Sequence, residues 1–181
     1  MATTIKQSEA IPASYPDAPA GLSTAAAALD ADMIWQRIES YVAHRWTERA
    51  VVWTVEGPNE WTPPLTPATI STVEIWNGTA WETCTEPDSP LGGYWLSGEG
   101  PYRFTATVGG GSPAPTVPAS VNAAFARLAE YMAEDTGKAG ASNEKTSVGP
   151  IDLDVSRNPA WMARAMINSG AGDLLRQFRR A

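Results

Sequence analysis

Few residues in this chain have types and spacings that suit catalysis. His44 is the only histidine and Cys84 the only cysteine. A Ser-His-Asp arrangement therefore has one possible base, and a thiolate zinc site lacks ligands. His44 falls in a run read below as helix, where a lone imidazole is far more often packed or solvated than catalytic. Neither a Gly-x-x-x-x-Gly-Lys-Ser/Thr loop nor a Gly-x-Ser-x-Gly elbow occurs. Glu56, Glu60, Glu82 and Glu99, near Trp61 and Trp81, contain the carboxylate pair a glycosidase needs. Acids beside turns are commonplace, and their spacing alone does not bring any two together. Asp152 and Asp154 suggest a metal, but they alternate with Ile151, Leu153 and Val155 and read as the wet face of a strand. Asn77-Gly78-Thr79 fits the N-glycosylation pattern. The start, MATTIKQSEAIP, lacks the basic and apolar regions of a secretion signal, so the match is read as coincidence. No catalytic residue, cofactor or metal is expected.

Two groups of residues suit contact better than chemistry. The first is the C-terminal run Leu174-Leu175-Arg176-Gln177-Phe178-Arg179-Arg180. As a short helix it sets Leu174, Leu175 and Phe178 against Arg176, Arg179 and Arg180. The second is Trp76-Asn77-Gly78 with Trp81, a turn flanked by two large rings. Charge separates the ends of the chain. Net charge is −7, yet residues 157–181 hold five arginines against one aspartate, a net +4, so the other 156 residues sum to −11. An acidic body does not wrap DNA, because phosphate binding needs clustered Lys and Arg. No run approaches the roughly 20 apolar residues that span a membrane.

The elements that would position these groups follow from periodicity. Residues 1–29, rich in Ala and Pro with few large apolar groups, read as a flexible N-terminal arm. Asp30 can cap a helix running to about Ala50, with Ile34, Ile38, Tyr41, Val42 and Arg45 on one side. Val51–Val55 reads as a short strand, and residues 58–67, with four prolines, as an extended loop. Two β-rich runs around Asn77-Gly78 predict a hairpin with a tight primed turn, since both residues tolerate positive φ. Tyr94–Leu96 reads as a short strand and Tyr102–Val108 as a strand with one buried face. Gly109 to Gly111 and three nearby prolines force a turn. A second helix follows, with Val121, Phe125, Leu128 and Met132 on one stripe. Residues 136–158 read as a linker and extended arm, and residues 159–181 as a helical tail opened by Asn158-Pro159. The expected class is α+β: a small antiparallel sheet or hairpin packed with two long helices, plus the N-terminal arm and the C-terminal tail.

That order of parts resembles the head–tail connector (adaptor) family of tailed bacteriophages and gene transfer agents. The residues that carry the resemblance span most of the chain. They are Pro63-Pro64 before a strand, Asn77-Gly78-Thr79-Ala80-Trp81, and the strand, Gly turn, Val117-Pro118 and Ala-rich helix of residues 101–132. Asn143-Glu144-Lys145, Val148-Gly149 and the terminal Leu174-Leu175 with its arginines complete the set. The long arm before residue 30 and Phe178, where a tyrosine is expected, depart from the pattern. On this resemblance, residues 30–135 are the adaptor core and residues 159–181 the docking tail. The resemblance implies a non-enzymatic structural protein of the virion neck, made in the host cytoplasm. It would form a homo-oligomeric ring of twelve under the portal protein and meet a tail-side stopper or tail protein below. DNA would pass through the lumen without specific binding, and no membrane is involved. Leu174, Leu175, Arg176, Phe178, Arg179 and Arg180 would dock the portal; Trp76, Asn77, Gly78 and Trp81 would contact a subunit or the tail. The alternative from the residues is a Trp-rich carbohydrate-binding module, since exposed Trp stacks on sugars, or, less favoured, a glycosidase.

Overall fold

The computed structural model describes residues 2–110, 116–134, 143–149, 151–156 and 160–179. They fall into two units, one from residues 1–16 and 43–116, the other from residues 17–42 and 117–181. The first holds strands β1 (Thr3–Glu9), β2 (Arg49–Glu56), β3 (Asn59–Trp61), β4 (Ala68–Trp76), β5 (Trp81–Thr83), β6 (Tyr94–Leu96) and β7 (Tyr102–Val108). Five of them make one antiparallel sheet in the order β1-β2-β7-β4-β5, while β3 pairs with β6. The second unit holds helices α1 (Thr24–Ala27), α2 (Ala31–Tyr41), α3 (Ala119–Ala133), α4 (Ala165–Asn168) and α5 (Ala171–Leu174). It also holds a hairpin of β8 (Asn143–Val148) and β9 (Ile151–Ser156).

This architecture corrects the expected one. The five-stranded sheet dominates, and among the described residues only α2 (11 residues) and α3 (15 residues) exceed four residues. There are not two long helices packed on a hairpin. The first helix stops at Tyr41 instead of continuing to Ala50, because Val42 is already extended at φ −119°, ψ 161°. Beyond it the Arg45 N–H donates to the Thr66 carbonyl at 2.8 Å, and the Thr66 N–H donates to Ala43 at 2.9 Å. The Ala43 carbonyl and the Arg45 N–H are thus satisfied by strand-like pairing, not by a helical ladder.

The segment expected as a free arm supplies the edge strand β1. Its apolar content is one residue, Ile5, which is 56% exposed, so hydrophobic alternation could not mark it. Polar contacts hold it instead. The indole Nε1 of Trp53 donates to Gln7, and that of Trp61 to Thr4, each at 2.8 Å. Glu9 accepts from Arg45 Nε at 2.6 Å and from Arg49 Nη1 at 3.3 Å, and both arginines are buried.

The core of the sheet unit is built by alternation. Val51, Trp53 and Val55 of β2 face Tyr102, Phe104, Ala106 and Val108 of β7, with Trp61, Leu65 and Leu96 closing over them. Trp61 stacks on Phe104 at 4.1 Å between centroids, with Trp53 and Tyr94 at 5.7 and 5.2 Å from members of that pair. Much of the tryptophan excess is therefore core. At the end of β7, Gly109 turns with φ +69°, and an added Cβ would lie 2.3 Å from the Thr47 carbonyl oxygen. Gly109→Ala combines left-handed strain with a backbone clash. It is expected to cost about 3 kcal/mol, read as a lower denaturant midpoint at unchanged m-value.

In the helical unit α3 buries Val121, Phe125 and Leu128 of the expected stripe, while Met132 at its end is half-buried. Trp35 and Ile38 of α2 are fully buried, and the Trp35 ring lies 5.1 Å from Phe125. Ser23 caps α1, and both its N–H and Oγ donate to Glu130 of α3 at 2.7 Å. Those bonds hold the Glu130 carboxyl below its ordinary value. Residues 143–156, expected as linker followed by an isolated strand or extended arm, instead pair as a hairpin from Asn143↔Ser156 to Val148↔Ile151. The tail helix expected from Asn158-Pro159 to Ile167 shrinks to α4; Asn158 and Pro159 lie outside the described residues.

Candidate functional site

The tip of the β4–β5 hairpin gathers the expected contact residues. Trp76 and Trp81 sit opposite one another, their rings 5.4 Å apart and inclined at 60°. Trp76 is 37% exposed and Trp81 half-buried. Sheet register brings a residue that the sequence reading missed. Arg103 of β7 faces Glu74 of β4, and its guanidinium makes two hydrogen bonds to that carboxylate at 2.6 and 2.7 Å. The same guanidinium lies 4.6 Å from the Trp81 ring centroid, an arrangement that fixes the ring by cation–π attraction. Hydrogen bonding to Arg103, aided by its charge, holds the Glu74 carboxyl below its usual range although burial pushes the other way. The signal for Arg103 was its place on the wet face of β7, between Tyr102 and Phe104. Pairing it with Glu74 needed the strand order.

The turn itself differs from expectation. The Asn77 N–H donates to Ala80 at 3.1 Å, so the turn centres on Gly78 and Thr79 instead of Asn77 and Gly78. Gly78 has φ +100°, while Asn77 keeps a negative φ. Positive φ thus falls on Gly78, the residue that bears it without strain. Asn77 acts through its side chain: Oδ1 accepts from Thr79 N, Thr79 Oγ1 and Ala80 N, all at 2.9 Å. Its Nδ2 donates to Glu82 at 2.5 Å.

The C-terminal group is folded into the helical unit. Leu175 is fully buried and Leu174 and Phe178 half-buried, with α5 packed on α3 and a 3-10 turn at Arg176–Phe178. Of the three apolar side chains read as anchors, Leu175 is thus committed to its own unit. Arg176 and Arg179 are exposed; Arg180 lies outside the described residues. Arg176 pairs with Asp173 at 2.9 Å. The Arg179 guanidinium stacks 4.6 Å from the Tyr41 ring centroid and donates to Tyr41 Oη at 3.2 Å. These residues line an open cavity of about 240 Å³ together with Ile167 and Gly172. The tail thus presents an ordered basic face.

The other candidates are dispersed. Glu60 accepts from Ser89 Oγ and Glu82 from Asn77, while Glu56 and Glu99 are exposed. His44 sits with its ring 4.9 Å from that of Trp46, and burial followed by the Arg45 charge lowers its pKa. Among the described residues no three His, Cys, Asp or Glu side chains are placed to hold a metal. Asp154 is exposed, and the Asp152 side chain is outside the description. Arg103 covers one face of Trp81, while Trp76 and Trp95 are 37% and 47% exposed. No helix among the described residues is long and apolar enough to cross a membrane. Comparison of the chain with protein-family models and with curated proteins gives no match.

Proposed function

We propose that this chain is a structural head–tail adaptor that forms a ring of twelve under a portal, joins capsid to tail and lines part of the DNA conduit. The carrying observation is the order of motifs along one chain, from Pro63-Pro64 through Asn77–Trp81 and Val148-Gly149 to the basic Leu-Leu terminus. The charge distribution supports it: an acidic body of −11 suits a channel through which DNA slides without sticking. The exposed arginines of the terminal unit suit docking to acidic groups on a portal rim. The paired tryptophans of the hairpin tip suit contact with a neighbouring subunit or a tail-side stopper.

The test follows from Leu175. Because it is core, deleting residues 173–181 would unseat α3's partner and confuse docking with folding. Reversing Arg176, Arg179 and Arg180 to Glu leaves the buried side chains in place. The triple variant should keep the wild-type melting profile and bind isolated portals about tenfold more weakly at low salt, with the gap closing as salt rises. Unchanged affinity at low salt would remove the arginines from the docking face.

A further inference from the structure

We infer that the Asn77–Gly78 junction is a self-modifying site, at which the folded hairpin converts Asn77 into aspartate and isoaspartate without an enzyme. The backbone nitrogen of Gly78 loses its proton and attacks Cγ of Asn77. A new N–C bond closes a five-membered imide as the Cγ–Nδ2 bond breaks. Nδ2 leaves as ammonia, taking up the proton that Gly78 gave. One water then opens the imide at either carbonyl, leaving a carboxylate at residue 77 on a normal or a lengthened backbone. Water is the only co-reactant.

Two features of the tip favour this step. The attacking nitrogen is open, since Gly78 carries no side chain, its N–H has no partner among the described residues, and apart from its two chain neighbours nothing lies within 4 Å of where a Cβ would stand. The Asn77 carbonyl oxygen is surrounded by three donors at 2.9 Å, from Thr79 N, Thr79 Oγ1 and Ala80 N. Donors so placed stabilise the negative charge that develops on that oxygen during attack, as an oxyanion hole does. The assignment of Oδ1 and Nδ2 is fixed by this network: a flipped amide would point N–H groups at two backbone N–H donors and an oxygen at the Glu82 carboxylate.

Conversion would alter the tip in one direction only. An aspartate at 77 loses the donor to Glu82 and sets two carboxylates against each other. Isoaspartate adds a methylene to a turn whose residue count fixes the Trp76↔Trp81 register. Both outcomes loosen the paired rings and add negative charge beside them.

The full folded chain, incubated in mildly alkaline buffer, should gain the mass of an NH2-to-OH replacement in the peptide containing Asn77, with isoaspartate detectable there by methylation. Thr79→Val keeps β-branching but removes the Oγ1 donor, and should slow the folded rate by about tenfold, somewhat less than loss of a donor in an enclosed oxyanion hole. In denaturant, where the donors are dispersed, the two chains should convert at the same rate. No conversion in the folded chain, equal folded rates, or a difference that persists undiminished in denaturant would each overturn the inference.

Discussion

Replacing Phe104 by alanine is expected to destabilise the sheet unit by about 3–5 kcal/mol, the range for removing a fully buried aromatic ring. Phe104 is inaccessible to solvent, stacks on Trp61 at 4.1 Å and touches the Tyr94 and Tyr102 rings. The cavity would open among large rigid aromatics, which cannot collapse into it as aliphatic chains do. Denaturant unfolding followed by near-ultraviolet dichroism reads it directly, because the indoles of Trp53 and Trp61 lose their fixed surroundings. The helical unit, with its own buried Trp35 and Phe125, should keep its transition. A shift below about 1 kcal/mol would mean that this ring is not the centre of the core.

Glu9→Ala should cost about 3 kcal/mol, near the lower end for breaking a buried ion pair, since the Glu9 side chain retains 20% exposure. The carboxylate accepts from Arg45 and Arg49, whose side chains are only 8% and 4% exposed. Its loss removes the main charged partner that the N-terminal strand supplies to two buried guanidiniums. Amide exchange localises the effect: protection should fall first along Thr3–Glu9, where one side of β1 is already a free sheet edge. Unaltered protection in that segment would show that the indole bonds to Gln7 and Thr4 hold the strand without the ion cluster.

Glu9 also shows where sequence reasoning ran out. The strands β2, β4 and β7 and helix α3 were legible because each repeats apolar residues at the period of its own structure, as Val51, Trp53 and Val55 do. Strand β1 has no such repeat; its partners are indole N–H groups and arginines far along the chain. The end of the first helix was hidden for a related reason. Nothing local stops it before Ala50, and the competing partner is Thr66, which pairs with residues 43–45. At the hairpin tip the two tryptophans and the Asn-Gly step were readable, but Arg103 depended on cross-strand register. In the terminal run, Arg176 and Arg179 are exposed, on the side that amphipathic spacing gave them, but the same spacing assigned Leu175 outward. A short helix can turn its apolar side to its own unit or to a partner, and spacing does not choose between them.

The interleaving of the two units along the chain has a consequence for synthesis on the ribosome. The sheet unit is complete once β7 has emerged, and its first strand has been waiting since the start of translation. Helix α2, by contrast, exposes Ile34, Trp35 and Ile38 long before α3 exists to cover them. The 77 residues between Tyr41 and Ala119 take roughly 4–15 s to translate at common elongation rates. Through that interval the nascent chain carries an uncovered apolar helix, the kind of surface that chaperones bind, and the β unit beside it is complete only near the end, once Val108 has been added. Slow codons placed within residues 42–118 would lengthen that exposure without changing any residue of the finished protein.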